Sequence, residues 1–280
     1  GSVFMTFKPD SPSSSRRHPW ARPDVVETDL QDLRSRLGQT LAPYVPGPTY
    51  ALLDFPDHYN PGDSAIWLGE VRVLKELTQR HAAYVASIHD CNVKKLKRLP
   101  QEAPIFMHGG SNLGDLWPAH QSFRERICAI ASDRRIVVLA QSIQFSTKSA
   151  LERARVALGA HRDVTLLLRD KHSHAFAQET FDCESVLCPD FALALDLKRP
   201  AREPECDLLW LLRKDKESAR AAAHPMRAGW RKTDWPASRL LAPPCLRRLG
   251  WAPAPAARWA ADTLAKARLA RGLRVFDGVD

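Results

Sequence analysis

The stretch that decides the fold is ALLDFPDHYNPGDSAIWLGEVRVL, residues 51–74. Its opening apolar run predicts a buried strand over 49–55, and apolar residues at helical spacing predict an amphipathic helix over 64–81. The loop between them contains Asn60 and Gly62. A buried strand that continues through a polar, glycine-containing loop into a helix is the repeating unit of parallel α/β sheets.

The same unit recurs along the chain, which predicts a doubly wound parallel sheet with helices on both faces. In such sheets the ligand lies beyond the carboxyl ends of the strands, in the loops that follow them. Further strands are predicted over 83–89, 104–110, 135–145, 163–170 and 185–195, and helices over 24–41, 118–131, 147–158 and 173–181.

Composition limits the class of protein. The 280 residues are 44% hydrophobic and 26% charged, which is typical of a globular protein with one large or two ordinary domains. No run of about 18 apolar residues occurs, so no membrane span is predicted. The six cysteines lack CxxC spacing, which indicates reduced thiols in the cytoplasm and no zinc site.

The net charge of +9 lies in the last part of the chain. Residues 1–196 hold 23 basic and 23 acidic residues, whereas residues 197–280 hold 18 and 9. Such an excess fits an anionic substrate, an acidic membrane surface or merely a solvated basic surface. The basic clusters KKLKR (94–98) and LRRLG (246–250) lack interleaved aromatic residues, so nucleic-acid binding is not predicted.

A second α/β unit begins after the charged, proline-containing linker KRPAREPE. The next segment, CDLLWLLRKDKES, predicts a strand that ends in a polar loop, and PAARWAADTLAKARLARGL predicts an amphipathic helix. A loop-rich segment lies between them, and the final RVFDGVD resembles the start of a strand. We predict an N-terminal tail and helix over 1–45, a first domain over 46–197 and a partial second domain over 198–280.

The first two loops offer groups for an anion or a sugar. Asn60, Gly62 and Asp63 lie at the start of a helix, where they either receive a phosphate or carboxylate or simply cap the helix through Asp63 or Ser64. The segment MHGGSNLGDLWP places two glycines at a strand end, where they allow close approach of a ligand or form a tight turn. Its candidate site residues are Gly109, Gly110, Asn112 and Asp115, whereas His108 is expected to be packed.

The later loops add charged candidates. Arg169 and Asp170 end the run VTLLLRD, either as an anion clamp or as an ion pair at the sheet edge. Ser173 is predicted to cap the next helix, and the neighbouring His172 and His174 are candidate general acids. The remaining candidates are Gln141 and Ser142 after the strand over 135–145, and Arg213 and Lys214 in the second unit.

Taken in order, six segments resemble the polysaccharide pyruvyl transferase family, particularly its exopolysaccharide-biosynthesis members. The resemblance covers residues 48–280. It implies two Rossmann-like doubly wound domains of GT-B type with the site in the cleft between them. The segments are NPGDSAIW, HGGSNLGDLWPAHQSFRE, VVLAQSIQF, LLLRDKHS, LCPDFAL and LLWLLRKDKE.

The resemblance implies transfer of the enolpyruvyl carbons of phosphoenolpyruvate onto a sugar as a pyruvate ketal. No metal-binding cluster is visible in the sequence, and we expect neither a cofactor nor a metal. Arg169 is expected to grip the donor, and Asp63 or Asp115 to orient or deprotonate an acceptor hydroxyl. Asn60, Gly62, Gly109 and Gly110 are expected to line the pocket. The acceptor is expected to be a polysaccharide or a lipid-linked oligosaccharide, at the inner face of the membrane.

Two features depart from the family pattern. Ser111 replaces the third glycine of a GGGN motif, and the chain ends at Asp280, before a basic residue and a histidine that help to bind the donor. Either the chain is truncated or the protein dispenses with this motif. We expect an incomplete second domain, and the general acid stays unassigned. Two alternatives remain: a GT-B-like glycosyltransferase that uses a nucleotide sugar, and a non-catalytic relative in polysaccharide assembly. Motifs for dinucleotide binding, P-loops, serine hydrolases and zinc proteases do not occur.

Overall fold

The computed structural model describes residues 23–58, 60–197, 206–211, 227–234 and 244–274, and of residues 23–28 and 244–247 the backbone alone. Nine strands lie in these ranges. They are β1 (Ala51–Leu53), β2 (Tyr84–Ala86), β3 (Ile105–Met107), β4 (Gly110–Gly114), β5 (Ile136–Gln144), β6 (Val164–Leu168), β7 (Glu184–Leu187), β8 (Leu208–Leu211) and β9 (Trp230–Thr233).

The main sheet has the order β2-β1-β3-β5-β6-β7, and β4 pairs with β5 beyond the end of β3. Each of its pairings is parallel, as the alternation of strands and helices predicts. The helices are α1 (Pro23–Leu41), α2 (Pro61–Thr78), α3 (Val93–Lys97), α4 (Pro118–Ile130), α5 (Lys148–Gly159), α6 (Lys171–Thr180) and α7 (Ala254–Leu273).

Helices cover both faces of this sheet. Leu52 and Phe106 belong to one buried cluster, together with side chains of α1, α2 and α7. Their neighbours in sequence, Leu53 and Met107, belong to a second cluster with α4, α5 and α6. Successive strand residues point to opposite faces, so this alternation places one apolar core on each side of the sheet. The doubly wound arrangement is therefore confirmed for this part of the chain.

The start of α2 differs from the prediction. The helix begins at Pro61, three residues earlier than expected, and its N-cap is Asn60, whose Oδ1 accepts a hydrogen bond of 2.9 Å from the Gly62 N–H. The predicted caps Asp63 and Ser64 are wrong, because both lie inside the first turn. Proline suits the first helical position, where its missing N–H would have no partner in the helix.

Other elements also depart from the prediction. The expected strand over 185–195 ends at Leu187, and a 3-10 helix follows over Phe191–Ala194, with Asp190 as its cap. The segments that form β4 and β9 were expected to be loops, and no element was predicted for the segment that forms α3. Strands β8 and β9 form a separate two-stranded parallel sheet, and residues 275–280, where a further strand was expected, lie outside the described residues.

Helix α2 packs against the 3-10 helix through a glycine. A Cβ atom at Gly69 would overlap the carbonyl oxygen of Phe191, so only hydrogen fits between the two backbones. Gly38, the glycine of α1, has no atom within 4 Å of its Cβ position. A side chain is therefore excluded at Gly69, whereas Gly38 has room for one.

Helix α7, the last helix among the described residues, packs against α2. Ala261 and Ala265 of α7 are buried in the same cluster as Trp67 of α2. Arg268 is 2% exposed, and its Nη1 donates a hydrogen bond of 2.6 Å to the carbonyl oxygen of Pro56 in the loop after β1. The predicted division into domains stays a prediction. Among the described residues, no helix combines the length and apolarity that a membrane crossing requires.

Candidate active site

A cavity of about 450 Å³ opens at the carboxyl edge of the main sheet. Its wall comes from the loops after β1 and β2, the first turn of α2, strand β4 and the start of α4. This is the edge at which parallel α/β sheets hold their ligands, and the volume suits a small molecule. The lining residues are Phe55, Asp57, His58, Asn60, Asp63, Ile88, His89, Ser111, Asn112, Trp117, Pro118, Ala119 and His120.

A buried carboxylate supports one of these lining residues. Asp54 follows β1, is fully buried and has a φ of 67°, in the left-handed region that non-glycine residues rarely adopt. Its Oδ1 lies 2.7 Å from Nδ1 of His120, in the first turn of α4. The carboxylate accepts a hydrogen bond from the N–H group at Nδ1 of His120. In this tautomer the lone pair of the imidazole lies on Nε2. An oriented imidazole of this kind is suited to proton transfer.

A second histidine lies against the first. The rings of His58 and His120 form a T-shaped pair with centroids 6.1 Å apart. His58 Nε2 is 3.5 Å from Oδ2 of Asp63, which also lines the cavity. Desolvation lowers the pKa of His58, and Asp63 opposes that effect. The cavity therefore presents two adjacent histidines, each facing one carboxylate.

Behind the cavity, Glu70 of α2 and His108 form a fully buried pair. His108 Nδ1 is 2.8 Å from Glu70 Oε2, and the N–H of Gly109 donates to Oε1 at 2.8 Å. Burial alone would lower the pKa of His108, but the facing carboxylate raises it to about 9. This ion pair ties α2 to the glycine loop, and it confirms that His108 is packed.

The Glu70–His108 pair makes stability depend on pH in the alkaline range. The pKa of His108 is about 9 in the folded protein and 6.5 ordinarily, so its stabilising contribution is complete below pH 6.5 and disappears as the pH rises through 9. The free energy of unfolding of the wild type should fall in this range relative to that of Glu70→Gln, with a slope approaching ~1.4 kcal/mol per pH unit. Urea unfolding of both proteins at a series of pH values measures this difference.

The double variant Glu70→Gln, His108→Asn is the control, because it lacks both partners. Its pH profile should match that of Glu70→Gln. Parallel profiles of the wild type and Glu70→Gln between these pH values would contradict the assignment.

Arg169 lies beside the cavity wall, at the end of β6. Its Nη1 is 2.7 Å from Oδ2 of Asp190, its Nε donates to the Ser142 hydroxyl at 2.9 Å, and its Nη2 contacts the hydroxyl of Ser111. Ser111 lines the cavity, whereas the other two residues do not. Arg169 thus forms its ion pair with Asp190, whereas Asp170, the partner that the sequence suggested, caps α6. The role of Arg169 as an anion clamp stays a prediction.

The four predicted loops meet at one edge of the sheet. Gly110 pairs with Gln141 across β4 and β5, and the N–H of Arg169 donates to the Gln141 carbonyl oxygen at 3.0 Å. A Cβ atom at Gly110 would lie 3.2 Å from Oδ1 of Asp63, so this glycine closes the gap between β4 and the first turn of α2. Asn60 caps that same turn. The convergence that the sequence predicts is therefore present, although Gly109, Gly110 and Gln141 lie behind the cavity wall.

Two candidate carboxylates bind groups at the starts of helices, and only Asp170 is an N-cap. Asp115 accepts hydrogen bonds of 2.8 to 2.9 Å from the N–H and hydroxyl groups of both Ser146 and Thr147 at the start of α5. Although desolvation acts in the opposite direction, these bonds lower the pKa of Asp115 to about 2. Its position outside the cavity gives no support to a role as base. Asp170 caps α6 by accepting from the Ser173 N–H, so the prediction of Ser173 as that cap is wrong.

The sequence interpretation missed Asp54, His58 and His120 as site residues, and Arg213 and Lys214 lie outside the described residues. Asp54 was placed inside the predicted strand over 49–55, whereas β1 ends at Leu53; its signal was that it is the first polar residue after the apolar run ALL. His120 had none, since its partner lies 66 positions earlier. Across the ranges that the structure describes, no three histidine, cysteine or acidic side chains are grouped to hold a metal.

Comparison with known proteins gives one family. The family model described as "Polysaccharide pyruvyl transferase" matches residues 60–240. "Pyruvyl transferase 1" of Schizosaccharomyces pombe is 32% identical over 177 residues, which cover 60% of this chain and 44% of that protein. The Bacillus subtilis protein EpsO, whose name also describes a pyruvyl transferase, is 32% identical over 178 residues, 60% of this chain and 52% of its own length. The chain thus spans about half the length of these relatives.

Proposed function

The chain belongs to the polysaccharide pyruvyl transferase family, and we propose on that basis that its cavity transfers the pyruvyl group of phosphoenolpyruvate to a sugar of a polysaccharide or its lipid-linked precursor. The product is a pyruvate ketal, and no cofactor takes part. The observation that supports this proposal most is the Asp54-bound His120 in a cavity of about 450 Å³. A base of this kind is what the acceptor hydroxyl requires.

The reaction consists of proton transfers and additions to one carbon. A proton adds to the methylene carbon of phosphoenolpyruvate, and the neighbouring carbon becomes electrophilic. One sugar hydroxyl adds to that carbon and loses its proton, phosphate leaves, and the second hydroxyl adds to close the ketal. Of the two hydroxyl protons, one replaces the proton consumed at the methyl group and the other leaves with phosphate.

His120 takes the role of the base. Its Nε2 lone pair accepts the proton of the attacking hydroxyl, and the Asp54 carboxylate stabilises the imidazolium that forms. Asp63, beside His58 in the cavity wall, orients the acceptor hydroxyls. The apolar surface of Trp117 offers contact for the C–H face of a sugar ring.

The donor needs cations, and none of the described lining residues is an arginine or lysine. Arginines bind the wall from behind instead: Arg169 contacts Ser111, and Arg268 Nη2 lies 3.1 Å from Oδ1 of Asp57. We propose that Arg169, whose side chain is 24% exposed, leaves part of its contact with Asp190 to hold the phosphate or carboxylate of the donor.

Thermal denaturation tests the donor and the clamp together. Phosphoenolpyruvate should raise the melting temperature of the wild type, because a ligand at about 100 times its Kd adds about 2.7 kcal/mol of stability. Arg169→Ala should lower the affinity about 10- to 100-fold, since it removes a charge-assisted hydrogen bond. Arg155→Ala is a matched control, because Arg155 is exposed and pairs with Glu152 on α5.

Thermal denaturation separates the two enzymatic alternatives, and analysis of the product separates the third. A rise with nucleotide sugars and none with phosphoenolpyruvate would favour a glycosyltransferase instead. An unchanged response to phosphoenolpyruvate in Arg169→Ala would remove this arginine from the donor site. Formation of a pyruvate ketal on an acceptor oligosaccharide would exclude the non-catalytic relative.

A further inference from the structure

The orientation of one buried amide is fixed by the backbone. Gln141 is fully buried, and its Oε1 accepts the backbone N–H of Asn112 at 3.0 Å, a role that only the oxygen can take. Its Nε2 is therefore the donor, to the carbonyl oxygen of His108 at 2.9 Å and to Oδ1 of Asn112 at 2.8 Å. The backbone N–H of Asn112 and the carbonyl oxygen of His108 thus determine that the N–H₂ group of Gln141 faces the side chain of Asn112.

The Gln141 orientation in turn fixes Asn112. Its Oδ1 accepts from Gln141 and also from Nη2 of Arg124 at 2.7 Å, so both of its lone-pair directions have donors. Arg124 is fully buried on α4, and the salt bridges among the described residues do not include it. A buried guanidinium held by amide oxygens makes the reverse orientation of Asn112 costly, because it would then face an N–H₂ group.

The N–H₂ group of Asn112 lies beside His120 and its partner Asp54. Nδ2 of Asn112 is 3.5 Å from Nδ1 of His120, but that nitrogen donates its proton to Asp54 at 2.7 Å and so has no lone pair for Asn112. Asn112 itself lines the cavity. Its two N–H bonds are therefore the part of the side chain that is left for a ligand.

We propose that Asn112 is a specificity-determining donor, held by Gln141 and the positioning residue Arg124, which binds an anionic oxygen of the substrate next to His120. The inference rests on the proposed function for the identity of the substrate, phosphoenolpyruvate, whose carboxylate and phosphate both carry such oxygens. The N–H₂ group of Asn112 then lies beside His120. The anionic oxygen of phosphoenolpyruvate and the attacking sugar hydroxyl are therefore held at neighbouring positions in the cavity. A carbonyl or carboxylate in place of this N–H₂ group would repel the same substrate.

The decisive variant is Asn112→Asp. One carboxylate oxygen keeps the hydrogen bonds from Gln141 and Arg124, and Arg124 gains a counter-ion, so the melting temperature without ligand should stay the same or rise. The second oxygen replaces the N–H₂ group in the cavity. Affinity for phosphoenolpyruvate should fall at least about 10-fold, because a hydrogen bond to a charged group is lost and a like charge is added. Titration calorimetry with phosphoenolpyruvate, pyruvate and inorganic phosphate shows which oxyanion Asn112 contacts.

Several outcomes of these experiments would overturn the proposed role of Asn112. Unchanged affinity for all three probes in Asn112→Asp would overturn the proposal, as would a lower melting temperature, which would contradict the pairing of Oδ1 with Arg124. If the wild type binds none of the three probes, phosphoenolpyruvate is not the substrate and the proposed function is wrong. The orientation of Asn112 is then judged by ¹⁵N NMR of its side-chain amide. Exchange with water much faster than that of the Gln141 amide supports a free N–H₂ group, and equal protection of the two amides overturns it.

Discussion

Replacing His120 with glutamine should lower the rate of pyruvyl transfer about 100- to 10,000-fold, the range that a positioned general base contributes. Glutamine keeps the approximate size and a donor for Asp54, but it has no group that accepts a proton in the neutral range. Because the base acts in the transition state, the loss should fall on kcat, with little change in the affinity for phosphoenolpyruvate. Phosphate release in the presence of acceptor oligosaccharide measures the rate.

Two further variants sharpen this experiment. Asp54→Asn should also lower kcat, because an amide no longer selects the imidazole tautomer with its proton on Nδ1. His81→Gln is the control, since His81 is exposed and precedes β2 at the opposite edge of the sheet. Transfer by His120→Gln at the wild-type rate would show that another group moves the proton.

Replacing Gly69 with alanine should destabilise the fold by about 3 kcal/mol, the upper end of the cost of overpacking a core. The added methyl group overlaps a carbonyl oxygen of the 3-10 helix at Phe191, and backbone yields less easily than a side chain. Relief requires that α2 and the 3-10 helix move apart. For a chain of this size the melting temperature should fall by about 6 to 12 °C.

Gly38→Ala is the matched control, because it makes the same chemical change inside another helix. No atom lies within 4 Å of the Gly38 Cβ position, so alanine should stabilise α1 by about 0.5 to 1 kcal/mol through its higher helix propensity. Equal shifts of both variants in one direction would show that helix propensity, and not the contact with Phe191, governs Gly69.

The fold was predictable from local patterns, and its boundaries were less so. Strand and helix alternation gave the parallel sheet because period-2 and period-3.6 spacing is written in the sequence. Strand β4 was missed because its GSNLG segment has the composition of a loop. It is extended because β5, with nine residues, continues past β3 and offers it unpaired backbone groups. That is a tertiary effect, and no local window contains it.

The candidate site was predictable to the level of its loops. Polar residues after strands indicated the correct edge, since topology alone brings those ends together. Which side chains enter the cavity was not predictable, because it depends on rotamers and on contacts over long separations. Asp54, Asp115 and Asp170 are all carboxylates at the end of a strand, yet Asp170 caps α6, Asp115 binds the two residues before α5, and Asp54 contacts a histidine.

The contact between Arg268 and the loop after β1 has a consequence for the order of events during synthesis. Arg268 binds the carbonyl oxygen of Pro56 and the carboxylate of Asp57, a lining residue, across more than 200 positions of sequence. On the ribosome the sheet and its earlier helices emerge first, so the nascent chain has most of its core before this arginine leaves the exit tunnel. The wall of the binding cavity is therefore completed only after Arg268 has been synthesised and has reached the loop after β1.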